Sequence, residues 1–104
     1  MRFAIRLLVA KLIECKDLKL SQENNNITLY KINKVVFGIA SIFGNVDIKN
    51  FIPTEFCPMS GSRTFVSDYR NNIATIIIDN EGSVLVEGSL TVSNYIGSFC
   101  YITK

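Results

Sequence analysis

NIATIIIDNEGSVLVEG, residues 72–88, is the one stretch of the 104-residue chain where strand, turn and strand follow from residue types alone. Ile73, Thr75, Ile76, Ile77 and Ile78 are all β-branched. Such side chains, stiff at χ1, pack well on a pleated surface and crowd the preceding turn of a helix. Asp79, Asn80, Glu81, Gly82 and Ser83 then bring side chains that hydrogen-bond their own backbone, and a glycine free to take positive φ. Val84, Leu85 and Val86 resume the strand character. The stretch predicts a β-hairpin with a short glycine-containing loop, and the unbroken isoleucine run predicts a first strand covered on both faces.

The same alternation extends outward in both directions. Downstream, Tyr95, Gly97, Phe99 and Tyr101 share one face of a last strand, while Ile96, Ser98, Cys100 and Ile102 share the other. Both faces are largely apolar, as expected of a strand inside a sheet. Upstream, residues 64–69 read as a strand and residues 70–72 as the turn leading into the hairpin. Residues 51–59, FIPTEFCPM, hold both prolines, which withhold amides from a ladder and fix an irregular loop. Phe51, Ile52, Phe56 and Met59 are expected to plug one end of the core, with Glu55 in solvent.

Further upstream, residues 46–48 form a short strand. Residues 35–43 form a longer one, in which Gly38 predicts a bulge or a close backbone approach. Asn33 and Lys34 make a tight turn after residues 27–32, where Ile27, Leu29 and Lys31 oppose Thr28, Tyr30 and Ile32. Roughly seven or eight short strands with frequent turns predict a mainly β fold, an antiparallel β-sandwich or a partly closed barrel.

The N-terminus follows a different period. Met1, Ile5, Leu8, Leu12 and Cys15 recur at alternating four- and three-residue spacing, the rhythm that lays one apolar seam along a helix. Residues 1–20 are therefore expected to form an amphipathic helix, and the polar residues 21–26 a turn into the first strand. So short a helix does not hold alone in water, which gives the seam a role in oligomerisation or docking beside a β-rich domain at residues 27–104. An export signal is not expected: Arg6 and Lys11 interrupt the apolar region, and Glu14 precedes Cys15 where a small residue belongs.

Composition narrows the function classes. The chain is 48% hydrophobic, so some apolar surface is expected to meet a partner, yet no run is long enough to span a membrane. A net charge of +2 is too small for a nucleic-acid footprint. Tyr30, Phe37, Phe65 and Tyr69 have the chemistry to stack on single-stranded bases, but without a basic groove such aromatics are expected in the core. Histidine is absent, which removes the commonest general base and metal ligand. Cys15, Cys57 and Cys100 form no Cys-x-x-Cys pair and are expected to be buried thiols of a chain made in a reducing cytoplasm. No metal, cofactor or catalytic role is expected, and Asp79 with Glu81 falls on a solvated turn.

Taken in order, Ile52-Pro53 with Phe56-Cys57-Pro58, the hairpin within residues 76–86 and the ending Ser98-Phe99-Cys100-Tyr101 form a recognisable series. Over residues 27–104 that series resembles the receptor-binding head domain at the C-terminus of bacteriophage tail fibre and baseplate proteins. Cys57 stands where that family commonly has arginine, so no role of that arginine carries over. The resemblance implies a homo-oligomer, with a trimer favoured, in a virion tail or related particle. Its role would be to recognise cell-surface saccharide without chemistry, or, in the alternative, to act as an assembly subunit with no ligand of its own.

Sugar recognition needs exposed aromatics and hydrogen-bonding Asp, Asn and Arg side chains. Asp68, Tyr69, Arg70, Asn71 and Asn72 put all of these types on one predicted turn, and Asn94 with Tyr95 is a second candidate. The plainer reading, which the residues alone favour, is that Tyr69 is core and Arg70, Asn71 and Asn72 only make the turn.

Overall fold

The computed structural model describes residues 15–90 and 93–104. In chain order its strands are β1 (Cys15–Gln22), β2 (Asn25–Ile32), β3 (Val35–Phe43), β4 (Val46–Ile48), β5 (Ser62–Ser67), β6 (Ile73–Ile78), β7 (Val84–Gly88) and β8 (Asn94–Ile102). A 3₁₀ turn occupies Thr54–Phe56. The strands join one antiparallel sheet in the order β1-β2-β3-β8-β5-β6-β7-β4, curled into a half-barrel. The core lies on its inner face, where Ile27, Leu29, Val36, Ile42, Ile76 and Tyr95 are buried.

The hairpin of β6 and β7 pairs from Ile78 with Val84 to Ala74 with Gly88. Its loop is organised by Asp79, whose Oδ1 accepts from the amides of Glu81 at 2.9 Å and Ser83 at 2.8 Å. Gly82 takes φ +86° there, a conformation that costs a residue with a Cβ. Burial along β6 alternates: Ala74, Ile76 and Ile78 face the core, Thr75 and Ile77 are half-buried, and Ile73 is exposed. The expected cover on both faces is thus corrected to full cover on one, because no second layer lies over the outer side among the described residues.

The sequence also misassigns residues 15–20. They belong to β1, paired with β2 from Cys15 opposite Ile32 to Gln22 opposite Asn25. Leu18 and Leu20, two apart, pack against the core with the period of a strand, so tertiary pairing overrides the helical spacing that Cys15 completes. Met1, Ile5, Leu8 and Leu12 and the rest of the expected helix lie outside the described residues. The polar run at residues 21–26 does reverse the chain, but between two strands, with Glu23 at φ 55°.

Gly38 marks a close approach. It pairs with Phe99 in an uninterrupted register, and a Cβ there would stand 2.2 Å from the Phe99 ring. The proline loop buries Ile52, Phe56 and Cys57 and packs Phe51 against them. Met59 is exposed, a correction to its expected place in the plug: its amide bonds to the Ile102 carbonyl at 2.8 Å, just past the bridge from Pro58 to Thr103. The loop is tied to the hairpin tip, since the amides of Phe51 and Ile52 both donate to the Gly82 carbonyl at 3.0 Å.

Two further expectations fail for one reason. Cys57 is buried, but Cys15 and Cys100 are exposed. Likewise Tyr30, Phe37, Phe65 and Tyr69 stand outside the core. All except Cys57 and Tyr69 occupy strand positions whose register turns them away from the inner face; Tyr69 stands on the turn after β5.

Candidate functional site

The loop that joins β5 to β6 is built around Asp68. Its backbone amide donates to the Asn72 carbonyl at 3.0 Å, and its own carbonyl accepts from the Asn71 amide at 3.2 Å. Its carboxylate is buried and fully used. Oδ1 accepts from the amides of Arg70 at 2.9 Å and Asn72 at 2.8 Å, while Oδ2 accepts from Asn72 Nδ2 at 2.9 Å and Ser93 Oγ at 2.6 Å. The Ser93 hydroxyl, joined by Asn72 and the two loop amides, outweighs the effect of burial and holds the Asp68 carboxyl down to about 2. Asp68 is therefore a charged organiser of the loop, with no free lone pair aimed at solvent.

What the loop displays is Tyr69, 84% exposed. The Arg70 guanidinium lies over its ring, 5.2 Å from the centroid. Asn71 is exposed and sits at φ 65°, a left-handed conformation that asparagine tolerates. The reading in which Tyr69 is core does not hold, whereas Asn72, half-buried against Asp68, does make the turn.

Ser93 joins the two sequence candidates, because Asn94 follows it at the start of β8. Asn94 is exposed and its Oδ1 accepts from Ser41 Oγ at 3.3 Å. Phe43, exposed at the end of β3, pairs with Asn94 in register. Tyr95 departs from its expected role. It is fully buried, its hydroxyl donates to the Leu90 carbonyl at 2.8 Å and accepts from the Leu90 amide at 3.0 Å, and its ring is closed off from any ligand. The resulting surface comprises Tyr69, Arg70, Asn71, Phe43 and Asn94 over a frame of Asp68, Asn72 and Ser93. Sequence reasoning missed Phe43 and Ser93. Phe43 before Gly44-Asn45 carried a usable signal, an aromatic at a strand end, but nothing local connects Ser93 to a carboxylate 25 residues earlier.

A second concavity opens elsewhere. β5 and β8 pair only at Ser67 and Ile96. Toward the other end of β5 lies a shallow groove of about 660 Å³ lined by Met59, Gly61, Ser62, Cys100, Tyr101 and Ile102. It is apolar and carries no charged side chain. Among the described residues, no three His, Cys, Asp or Glu side chains cluster to hold a metal ion, and no helix is long and apolar enough to cross a membrane. No protein-family model matches the chain, and no curated protein matches it.

Proposed function

We propose that the chain is a non-catalytic receptor-binding or adhesion module of a phage tail fibre or related particle, recognising cell-surface saccharide through the Asp68 loop. The observation that carries this reading is Tyr69, presented almost fully to solvent on a loop that the Asp68 carboxylate fixes with four hydrogen bonds, two to backbone amides and two to the side chains of Asn72 and Ser93. Sugar rings stack on such an aromatic face, and Arg70, Asn71 and Asn94 supply donors and acceptors for hydroxyls around it. A preformed loop loses little conformational entropy on binding, which is how a small, solvent-open site reaches useful affinity. The order of proline loop, hairpin and aromatic ending supports the same reading. Free thiols at all three cysteines fit synthesis in a reducing cytoplasm.

The test is a glycan array probed with the intact chain, followed by Tyr69→Ala. Binding should fall by about tenfold or more in the variant, with an unchanged unfolding curve, since an exposed ring adds little to the fold. Equal binding by Tyr69→Ala would defeat the assignment of the site. The second reading, an assembly subunit with no ligand, draws on the exposed apolar outer face of the sheet. A folded oligomer that leaves every array position blank would decide for it.

A further inference from the structure

We infer that the outward face of β2, β3, β8, β5 and β6 is a contact surface for a second copy of this chain. The inference rests on the oligomeric part of the reading above and names the surface. Register places the residues side by side. Tyr30 lies opposite Phe37, which lies opposite Cys100, and Thr28, Ile39 and Ser98 form the next row. Ile96 is opposite Ser41 on one side and Ser67 on the other, and Ser67 leads to Ile73. Not one outward residue of β2, β3 or β8 is charged.

The exposed area is the deciding quantity. Phe37 is 48% exposed, Ile39 52%, Ile96 56%, Ile102 58%, Phe65 71% and Ile73 57%, with Tyr30 at 38%. At about 200 Å² for a residue of this size, these expose roughly 760 Å² of mostly apolar surface. That exceeds the roughly 300–600 Å² of the largest patch on an ordinary monomer and approaches the roughly 800 Å² that each partner buries in a standard interface.

Two observations select a copy of the same chain as the occupant. The outward rows of β2, β3 and β8 mix isoleucine and phenylalanine with uncharged serine and threonine, so two copies meet there without charge repulsion, and among the outward residues of the five strands the one charge is Arg63, near the start of β5. The competing route, pairing through the edge of β1, which has no neighbouring strand among the described residues, is opposed by Lys16, Asp17 and Lys19 along that strand.

The experiment combines sedimentation of the intact chain across a wide concentration range with alkylation of Cys100, an exposed thiol at the centre of the face. The expected result is an oligomer at micromolar concentration, in which Cys100 reacts at least about tenfold more slowly than in dilute solution, with Phe37→Glu monomeric and fast-reacting throughout. Ile96→Glu serves as a second variant should Phe37→Glu not fold. An oligomer in which both variants assemble normally and Cys100 stays reactive would overturn the assignment of this face and leave the oligomeric reading standing. A monomer at every concentration would overturn both, and if its Cys100 were nevertheless protected, residues 1–14 of the same chain would be the occupant instead.

Discussion

Asp68 shows how one side chain sets the chemistry of a surface without joining it. Its carboxyl sits at about 2, against 3.8 for the free group, because the Ser93 hydroxyl and then the Asn72 and Arg70 donors favour the charged form. A folded value below the unfolded one means that the unfolded chain takes up the proton first as the solution is acidified. The stabilisation is therefore complete above the unfolded value of 3.8 and drains away as pH falls through about 2. Asp68→Asn should lose this dependence: denaturant midpoints measured from neutral pH down to acid should fall less steeply below 3.8 than those of the parent chain. At neutral pH the variant should be less stable, since an amide presents donors to Ser93 and Asn72 where the carboxylate accepted. Parallel profiles for the two proteins would show that the carboxylate does not hold the loop. Cys57 lies at the opposite extreme, its thiol pushed up by burial and further by the charge of Asp79, which leaves it protonated and inert at neutral pH.

At the scale of elements, the hairpin of β6 and β7 governs both the core and the proline loop. Ile76 and Ile77 are neighbours of the same type on opposite faces, one buried and one half-buried. Ile76→Ala should cost about 2–5 kcal/mol and Ile77→Ala about 1 kcal/mol in denaturant unfolding. Equal costs would contradict the register. The tip of the hairpin is as sensitive as its strand, because a Cβ on Gly82 would meet the Ile52 carbonyl at 2.2 Å and the residue would be held at φ +86°. Gly82→Ala should destabilise by on the order of 1–3 kcal/mol, read in the same way, and loosen the proline loop that Gly82 anchors. This hairpin was legible in the sequence because its signals agree: β-branched run, Asx-type turn, glycine where φ is positive. β1 was not. In CKDLKLSQ, Cys15 completes a helical seam while Leu18 and Leu20 have strand spacing, and only the pairing with β2 decides between them.

For the whole molecule, alternation in the sequence separates two faces of each strand without saying which becomes the interior. That choice is made by the curl of the sheet, so Tyr30, Phe37 and Phe65 were legible as a face but not as an exposed one. The candidate site has the same limit: Asp68 to Asn72 could be read as a polar turn, whereas the exposure of Tyr69 and the bond from Ser93 exist only after β8 is laid between β3 and β5. The exposed apolar face leads to a last prediction. With 11 basic and 9 acidic residues the chain has a net charge of +2, so copies repel one another weakly, and the charges near the proposed contact, Asp17, Lys19, Arg63 and Glu87, lie at its margins. Salt of about 1 M shortens the screening length to about 3 Å and removes attraction between exposed charges, yet it leaves apolar burial intact. Association measured by sedimentation should therefore hold or tighten from about 0.1 M to about 1 M sodium chloride, tighten further in sulfate, and weaken on cooling. Dissociation by sodium chloride would instead place the contact on charged parts of the surface, away from the uncharged outward rows of β2, β3 and β8.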